Sequence, residues 1–411
     1  MQTQLAPEFQ NTADGQAAEA ILRKCVHCGF CTATCPTYQL LGDELDGPRG
    51  RIYLMKQVLE GAEPTRATQL HLDRCLTCRN CETTCPSGVD YGHLVDIGRK
   101  MVDAKVPRPA PERALRWALK EGLTSPLFGP AMKLGQWVRP LLPAALKAKV
   151  PARQNAGTWP TRQHARKVIL LAGCVQPAMA PNINSATARV LDAAGLQVLL
   201  APEAGCCGAV KFHLNDQDGG LAQMRANIDA WWPLVAQGAE AIVMNASGCG
   251  VTVKEYGHLL QDDAQYAERA ARISALTRDL SELLPALLPA LLSRVDPQRA
   301  AQTSLVFHPP CTLQHGQQLR GGVESQLGAL GFPVRLASTE SHLCCGSAGT
   351  YSVLQPELSS TLRERKLAAL APHAGEVVIS ANIGCITHLQ GGTDTPVRHW
   401  VEVLDAALLP A

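Results

Sequence analysis

Cys25-Val-His-Cys28-Gly-Phe-Cys31-Thr-Ala-Thr-Cys35-Pro36 is spelled a second time as Cys75-Leu-Thr-Cys78-Arg-Asn-Cys81-Glu-Thr-Thr-Cys85-Pro86. Each copy sets three thiols on one tight loop, carries a fourth away on the next segment and closes with proline. Three thiolates so spaced can cap three irons of a cube, and the whole spelling is that of iron–sulfur clusters. Two copies describe a carrier of electrons. The bland readings fit less well. Zinc ribbons place their cysteine pairs about 15–20 residues apart. Disulfides need an oxidising compartment, and residues 1–16 are polar, with no basic stretch leading into an apolar one. Buried free thiols are common singly, but not as eight in two matched motifs.

In two-cluster ferredoxins the fourth thiolate of each motif ligates the other cube. Mapped here, one cluster takes Cys25, Cys28, Cys31 and Cys85, and the second takes Cys75, Cys78, Cys81 and Cys35. Between the motifs, Ile52, Met55 and Leu59 recur at helical spacing after the turn-forming Gly47-Pro-Arg-Gly50, which predicts a helix over 51–60. This long helical insert resembles the all-helical ferredoxin-like module of respiratory iron–sulfur subunits. Residues 1–105 are therefore expected to form an α-helical domain with two 4Fe–4S motifs.

Bulk composition narrows the class. A chain of 411 residues with 46% hydrophobic content has core for two or three domains. A net charge of +2 and 4% aromatic residues argue against nucleic acid as a partner. The most apolar run, Leu283 to Leu292, is short and interrupted by Pro285 and Pro289, so no membrane span is expected. Sixteen cysteines without an export signal point to the reducing cytoplasm. Residues 106–166 are rich in proline and basic. Only Glu112 and Glu121 oppose Arg113, Arg116, Lys120, Lys133, Arg139, Lys147, Lys149 and Arg153, and Trp117, Leu127, Leu134, Trp137 and Leu141 are interleaved with them. Such a mixture suits the surface of an anionic bilayer. The preferred reading is a linker whose short helices pack on their neighbours, because prolines break a long amphipathic face.

The remainder is duplicated. Cys174, Cys206, Cys207 and Cys249 answer Cys311, Cys344, Cys345 and Cys385 at offsets of 137, 138, 138 and 136 residues. Four matched offsets mark two repeats, over 167–300 and 301–411. Each opens with a buried strand, 168–173 or 304–308. A helix and strand follow, then a double cysteine in a Gly-rich turn, then a strand expected to deliver the last cysteine at its end. The fold class expected is α + α/β, with largely parallel sheets in the duplicated region and thiol-lined crevices beyond their carboxyl ends.

Cysteine, a long gap, Cys-Cys-Gly and a final cysteine resembles the cysteine-rich CCG domain of heterodisulfide reductases and related respiratory subunits. That family's pattern ends Cys-x2-Cys, whereas Thr252 and His388 stand at the last positions here. The resemblance implies a further cluster in the repeats, and the missing thiol argues against the family's non-cubane form. His388 is a candidate nitrogen ligand, as in Rieske centres, against the commoner role of a hydrogen-bonding histidine. The order of clusters first and paired CCG repeats second resembles the iron–sulfur subunits of bacterial glycolate oxidase along almost the whole chain. It is carried by Lys24–Pro36, Gly47–Arg51, Ala246–Thr252, His308–His315 and Ala381–Cys385. The resemblance implies FAD in partner oxidase subunits that oxidise a 2-hydroxy acid, with electrons relayed through this chain towards quinone. It also implies a cytoplasmic protein that can sit peripherally on the inner membrane. The same plan occurs in subunits of glycerol-3-phosphate and lactate dehydrogenase complexes.

No dinucleotide fingerprint is present, since Gly248-Cys-Gly250 lacks the third glycine and the acidic residue downstream. Flavin must then come from a partner, and no residue of this chain is assigned an acid or base role. A reductase working at its own CCG crevices and a zinc-stabilised scaffold are the competing classes.

Overall fold

The structure, a computed structural model, describes residues 1–143, 147 and 150–410; Lys149 of the basic segment lies outside them. Up to Lys105 the described secondary structure is helical. The helix Pro48–Leu59 starts three residues before the position read from the sequence, because Pro48 occupies the first turn, where a missing N–H costs nothing. Its buried Ile52, Met55, Val58 and Leu59 pack with Leu94, Val95 and Val102 of Tyr91–Lys105. These helices meet closely at Gly98, where a Cβ would run into the Met55 sulfur.

Beside this core lies a buried charge network. Arg51 and Asp46 are each about 1% exposed and pair at 3.4 Å. Asp46 also accepts from Arg74 at 2.8 Å and faces His71 Nδ1 at 3.0 Å. Arg51 donates to the His71 carbonyl and to Thr37 Oγ1, and Thr37 in turn donates to the Asp46 carbonyl at 2.7 Å. The network thus ties the segment after the first cysteine loop to the segment before the second.

Each repeat carries a four-stranded, wholly parallel sheet. The first has the order β2-β1-β3-β4, built from Arg166–Leu170 (β1), Leu196–Leu199 (β2), Ile242–Met244 (β3) and Thr277–Asp279 (β4). The second has the order β6-β5-β7-β8, built from Leu305–Phe307 (β5), Val334–Leu336 (β6), Val377–Ser380 (β7) and Val397–His399 (β8). In both, the strand order reverses between the first and third strands, which is where open parallel sheets leave a crevice. One apolar core runs through both repeats, from Val168 and Leu191 to Phe307, Ile379 and Trp400. The Leu280–Leu292 helix contributes Leu284, Leu287 and Leu291 to it, with Pro285 and Pro289 inside the helix. One expectation is corrected. The last cysteine of each copy lies in the helix after the strand, Cys249 in Ser247–Lys254 and Cys385 in Ile383–Gln390. Edge strands β4 and β8 went unread because Thr277-Arg-Asp279 and Val397-Arg-His399 are mostly polar and form no apolar run.

Between module and repeats run the helices Ala110–Thr124 and Phe128–Val138. The first buries no residue and docks through charge: Arg116 pairs with Asp73, Lys120 with Asp216, and Glu121 with Lys211. Its Trp117 is 62% exposed, and Trp137 and Leu141 further on are 80% and 86% exposed. The segment therefore packs on its neighbours by ion pairs and leaves much of its apolar surface outside. No described helix is long and apolar enough to cross a membrane.

Removing the Asp46 charge strands a buried guanidinium. Asp46→Asn is expected to cost about 3 kcal/mol, read as a lower urea midpoint, whereas Arg23→Gln on the exposed Glu19 pair should shift it by less than about 0.5 kcal/mol.

Candidate metal centres

Both cysteine loops use the same uncommon backbone. His27 and Thr77 have φ of 56° and 49°, and the positions two further on, Gly29 and Arg79, have 84° and 57°. Left-handed residues turn successive N–H groups toward the loop interior, and strain at non-glycine positions gathers where a site demands it. Two cavities result. The first is lined by Cys25, Cys28, Cys31 and Cys85, and also by Cys81. The second is lined by Cys35, Cys75, Cys78 and Cys81. Thus Cys85 lies at the cavity of the first loop and Cys35 at that of the second. Pro48, Cys81 and Tyr91 line both, so one layer of side chains separates them.

The surroundings fit anionic sulfur clusters. All sixteen cysteines are unpaired, so eight thiols remain available as donors around the two cavities. The Thr77 N–H and the Tyr91 hydroxyl donate to Cys75 Sγ at 3.4 and 3.7 Å. Burial alone would lower the Arg51 pKa, but Tyr91, Cys75, Cys35 and Asp46 around it outweigh this and hold it up. A permanent cation therefore stands beside the second cavity. The first cavity faces outward: Cys28 is exposed, and Val26 and Phe30 at its rim are 68% and 59% exposed. The second is roofed by the second repeat. Asn80 donates to the His342 carbonyl, Thr83 Oγ1 bonds His315 Nδ1 at 2.9 Å, and Tyr351 donates to the Arg74 carbonyl at 3.1 Å.

In the first repeat Cys174, Cys206, Cys207 and Cys249 gather closely enough for their thiols to perturb one another. The Cys206 thiol is held below the ordinary thiol range by the neighbouring Cys174 and Cys207 thiols, helped by the Gly208 and Val210 N–H groups. Gly208, at φ 94°, permits this turn, since a Cβ there would meet the Gly220 carbonyl oxygen at 2.8 Å. The second repeat gathers Cys311, Cys344, Cys345 and Cys385 in the same way, with Gly346 at φ 87°. Cys311 and Cys344 pack against Cys78 of the second cavity. The histidine beside these thiols is His308, whose ring lies with the sulfurs of Cys345 and Cys385. His388 instead turns its Nε2 to the Ser359 hydroxyl and carbonyl, both at 3.2 Å. The sequence reading missed His308, although its place three residues before the first cysteine, where the other copy has Leu171, was a visible asymmetry.

A model of the 4Fe-4S dicluster domain matches residues 21–89, and a model of the cysteine-rich CCG domain matches residues 168–254 and 305–390. The glycolate oxidase iron-sulfur subunit of Escherichia coli (strain K12) is 56% identical over 411 residues, covering 99% of each chain. A probable glycolate oxidase iron-sulfur subunit of Bacillus subtilis (strain 168) is 29% identical over 94% of this chain and 92% of its own. Lactate utilization protein A of the same Bacillus strain is 26% identical over 58% of this chain and 99% of its own.

The cysteine loops are fastened to the first repeat at Glu255, which pairs with Arg79 and lies 3.4 Å from His93 Nε2. Burial would raise the Glu255 carboxyl, but His93 and Arg79 outweigh it and bring it down to about 2. His93 is raised by its bond to Glu255. A raised histidine contributes stability below its ordinary pKa and loses it as pH rises through the folded value. Glu255→Gln is therefore expected to lower the thermal midpoint, with a deficit of about 2 kcal/mol near pH 6. Above the raised pKa of His93 the deficit should shrink to the Arg79 part; a deficit that grows with pH would contradict the assignment.

Proposed function

Since the chain belongs to the family of glycolate oxidase iron–sulfur subunits, we propose that it relays electrons from a flavoprotein that oxidises glycolate or a related 2-hydroxy acid, through its two cavities, towards quinone. It is the electron-transfer subunit of an oxidoreductase and carries two 4Fe–4S clusters; substrate oxidation lies in another subunit of a hetero-oligomeric complex. When bound, such clusters take up and release electrons one at a time. The observation that carries the relay is the shared wall of Cys81 and Tyr91 between an exposed cavity and a roofed one.

In this reading Cys25, Cys28, Cys31 and Cys85 hold the first cluster, and Cys75, Cys78, Cys81 and Cys35 the second. The lining of the two cavities supports that crossing. The exposed rim at Val26 and Phe30 receives the FAD-containing partner, because it is the apolar surface nearest the first set of thiols. The Thr77 N–H, the Tyr91 hydroxyl and the Arg51 cation stabilise added negative charge on the second set. Residues 1–105 act as the two-cluster domain, 106–166 as the connection, and 167–300 and 301–411 as the two repeats. We assign peripheral attachment to the cytoplasmic face of the inner membrane to the surface of Trp117, Leu127, Leu134, Trp137 and Leu141, which the ion-paired docking of the preceding helix leaves outside.

Cys85→Ser is expected to abolish the low-temperature EPR signal of the cluster on the Cys25 loop and to leave the other intact; loss of the signal from the Cys75 loop instead would refute the crossing. Trp137→Asp combined with Leu141→Asp should reduce sedimentation with anionic phospholipid vesicles at least about tenfold, and unchanged sedimentation would remove the membrane assignment.

A further inference from the structure

His93 and His258 stack face to face, with ring centroids 4.3 Å apart and planes 17° from parallel. One belongs to the cysteine module, in the helix Tyr91–Lys105, and the other to the first repeat, in the helix Tyr256–Leu259. Glu255 precedes that second helix and holds Arg79 of the second cysteine loop through both of its oxygens. His93 Nε2 is enclosed, 3.4 Å from Glu255 Oε1. The neutral ring leaves this nitrogen without a settled partner, whereas a proton on it completes a salt bridge to the carboxylate. His258 is exposed and carries the stack out to solvent. Two stacked imidazoles resist being charged together, so the pair takes up one proton rather than two.

At its other end this group reaches the second cavity. Arg79 and Gly92, the residue before His93, both line that cavity, and among the described residues neither lines the first. Gly92 lets the side chains close up, because a Cβ there would stand 2.7 Å from Arg79 Nε and 3.0 Å from Glu82 Oε1. Further charges surround the rings. Glu82 accepts from the Gly92 N–H at 2.6 Å, Asp90 near His258 is paired with Lys24 at 2.6 Å, and Asp96 near Arg79 faces His213 at 3.3 Å. Arg79 keeps its proton and Glu255 stays ionised, so of the three groups in this contact only His93 changes charge near neutral pH.

We propose that His93, braced by Glu255 and His258, is a redox-linked proton site: it binds a proton when the second cavity gains an electron and releases it when the electron leaves. The electron comes from the flavoprotein partner and the proton from solvent. The one bond made is N–H at His93 Nε2, and it breaks again on reoxidation. Negative charge added beside Arg79 and Gly92 strengthens proton binding at His93, and by reciprocity a proton on His93 makes the second cluster easier to reduce. Passage of an electron then leaves the net charge of this junction unchanged, which lowers the cost of placing charge away from water.

The inference rests on the relay reading, and the two fail differently. The full chain is purified anaerobically, and the potential of each cluster is followed by EPR during redox titrations across about pH 5 to 9, in wild type, His93→Gln and His93→Lys. In wild type the potential of the second cluster should fall by about 59 mV in all as pH rises, the equivalent of tenfold tighter proton binding by the reduced form. That of the first cluster should stay level. His93→Gln should hold the second cluster at the high-pH value of wild type throughout. His93→Lys should hold it at the low-pH value, because lysine keeps a positive charge beside Glu255; opposite shifts in two variants that retain both EPR signals separate the effect from a folding defect. A wild-type potential independent of pH would overturn the proposal, as would a pH dependence that survives in His93→Gln. Clusters whose potentials ignore His93 leave the relay standing, whereas a chain that takes up no iron overturns both.

Discussion

The structure depends on keeping a charged guanidinium out of water beside cysteine sulfur. Arg51 is enclosed by Asp46, Thr37 and the carbonyl of His71, close to Cys35 and Cys75. Thiolates that hold a cluster concentrate negative charge in a low-dielectric interior, and a cation that cannot give up its proton offsets it there. Because the partners of this arginine come from both flanks of the long insert, the same bonds set the distance between the cysteine loops. Charge compensation and geometry are one feature.

The duplicated half adds an asymmetric foundation. Its two sheets share an apolar core and meet through paired contacts: the Ser247 N–H donates to the Ala381 carbonyl, Ser247 bonds Thr312, and His399 faces the Asn245 carbonyl. The helices that carry Cys249 and Cys385 therefore begin against each other. Both copies lean on the second cysteine loop, the first through the Glu255–Arg79 pair and the second through Asn80, Thr83 and Tyr351. Each copy thus has a mechanical role, and they divide the contacts with the redox module unequally.

Much of this was legible in the residues. Cysteine spacing marks the loops, and matched offsets expose the duplication, because ligand geometry and repeat length are written directly into sequence separation. The strand-helix-strand order followed from apolar runs closed by Gly195 and Gly331, both in left-handed conformation at the helix ends. Other features were hidden for physical reasons. The edge strands Thr277–Asp279 and Val397–His399 are mostly polar and carry no apolar run. Trp117 and Trp137 look like packing residues by hydrophobicity, but whether they are covered depends on where the ion pairs of Arg116 and Lys120 set the helix down. The place of His308 depends on how β5 and β7 bring residues 308, 345 and 385 together, which no local pattern encodes.

The roof over the second cavity has a consequence for how the protein matures. Tyr351 closes on Arg74, and the residues that bond are 277 positions apart. A ribosome finishes the cysteine loops long before the segment that covers the second of them, so that loop is made without its cover. Asn80, Thr83 and Tyr351 find their partners only when the C-terminal half docks, whereas Cys28 stays open at the surface.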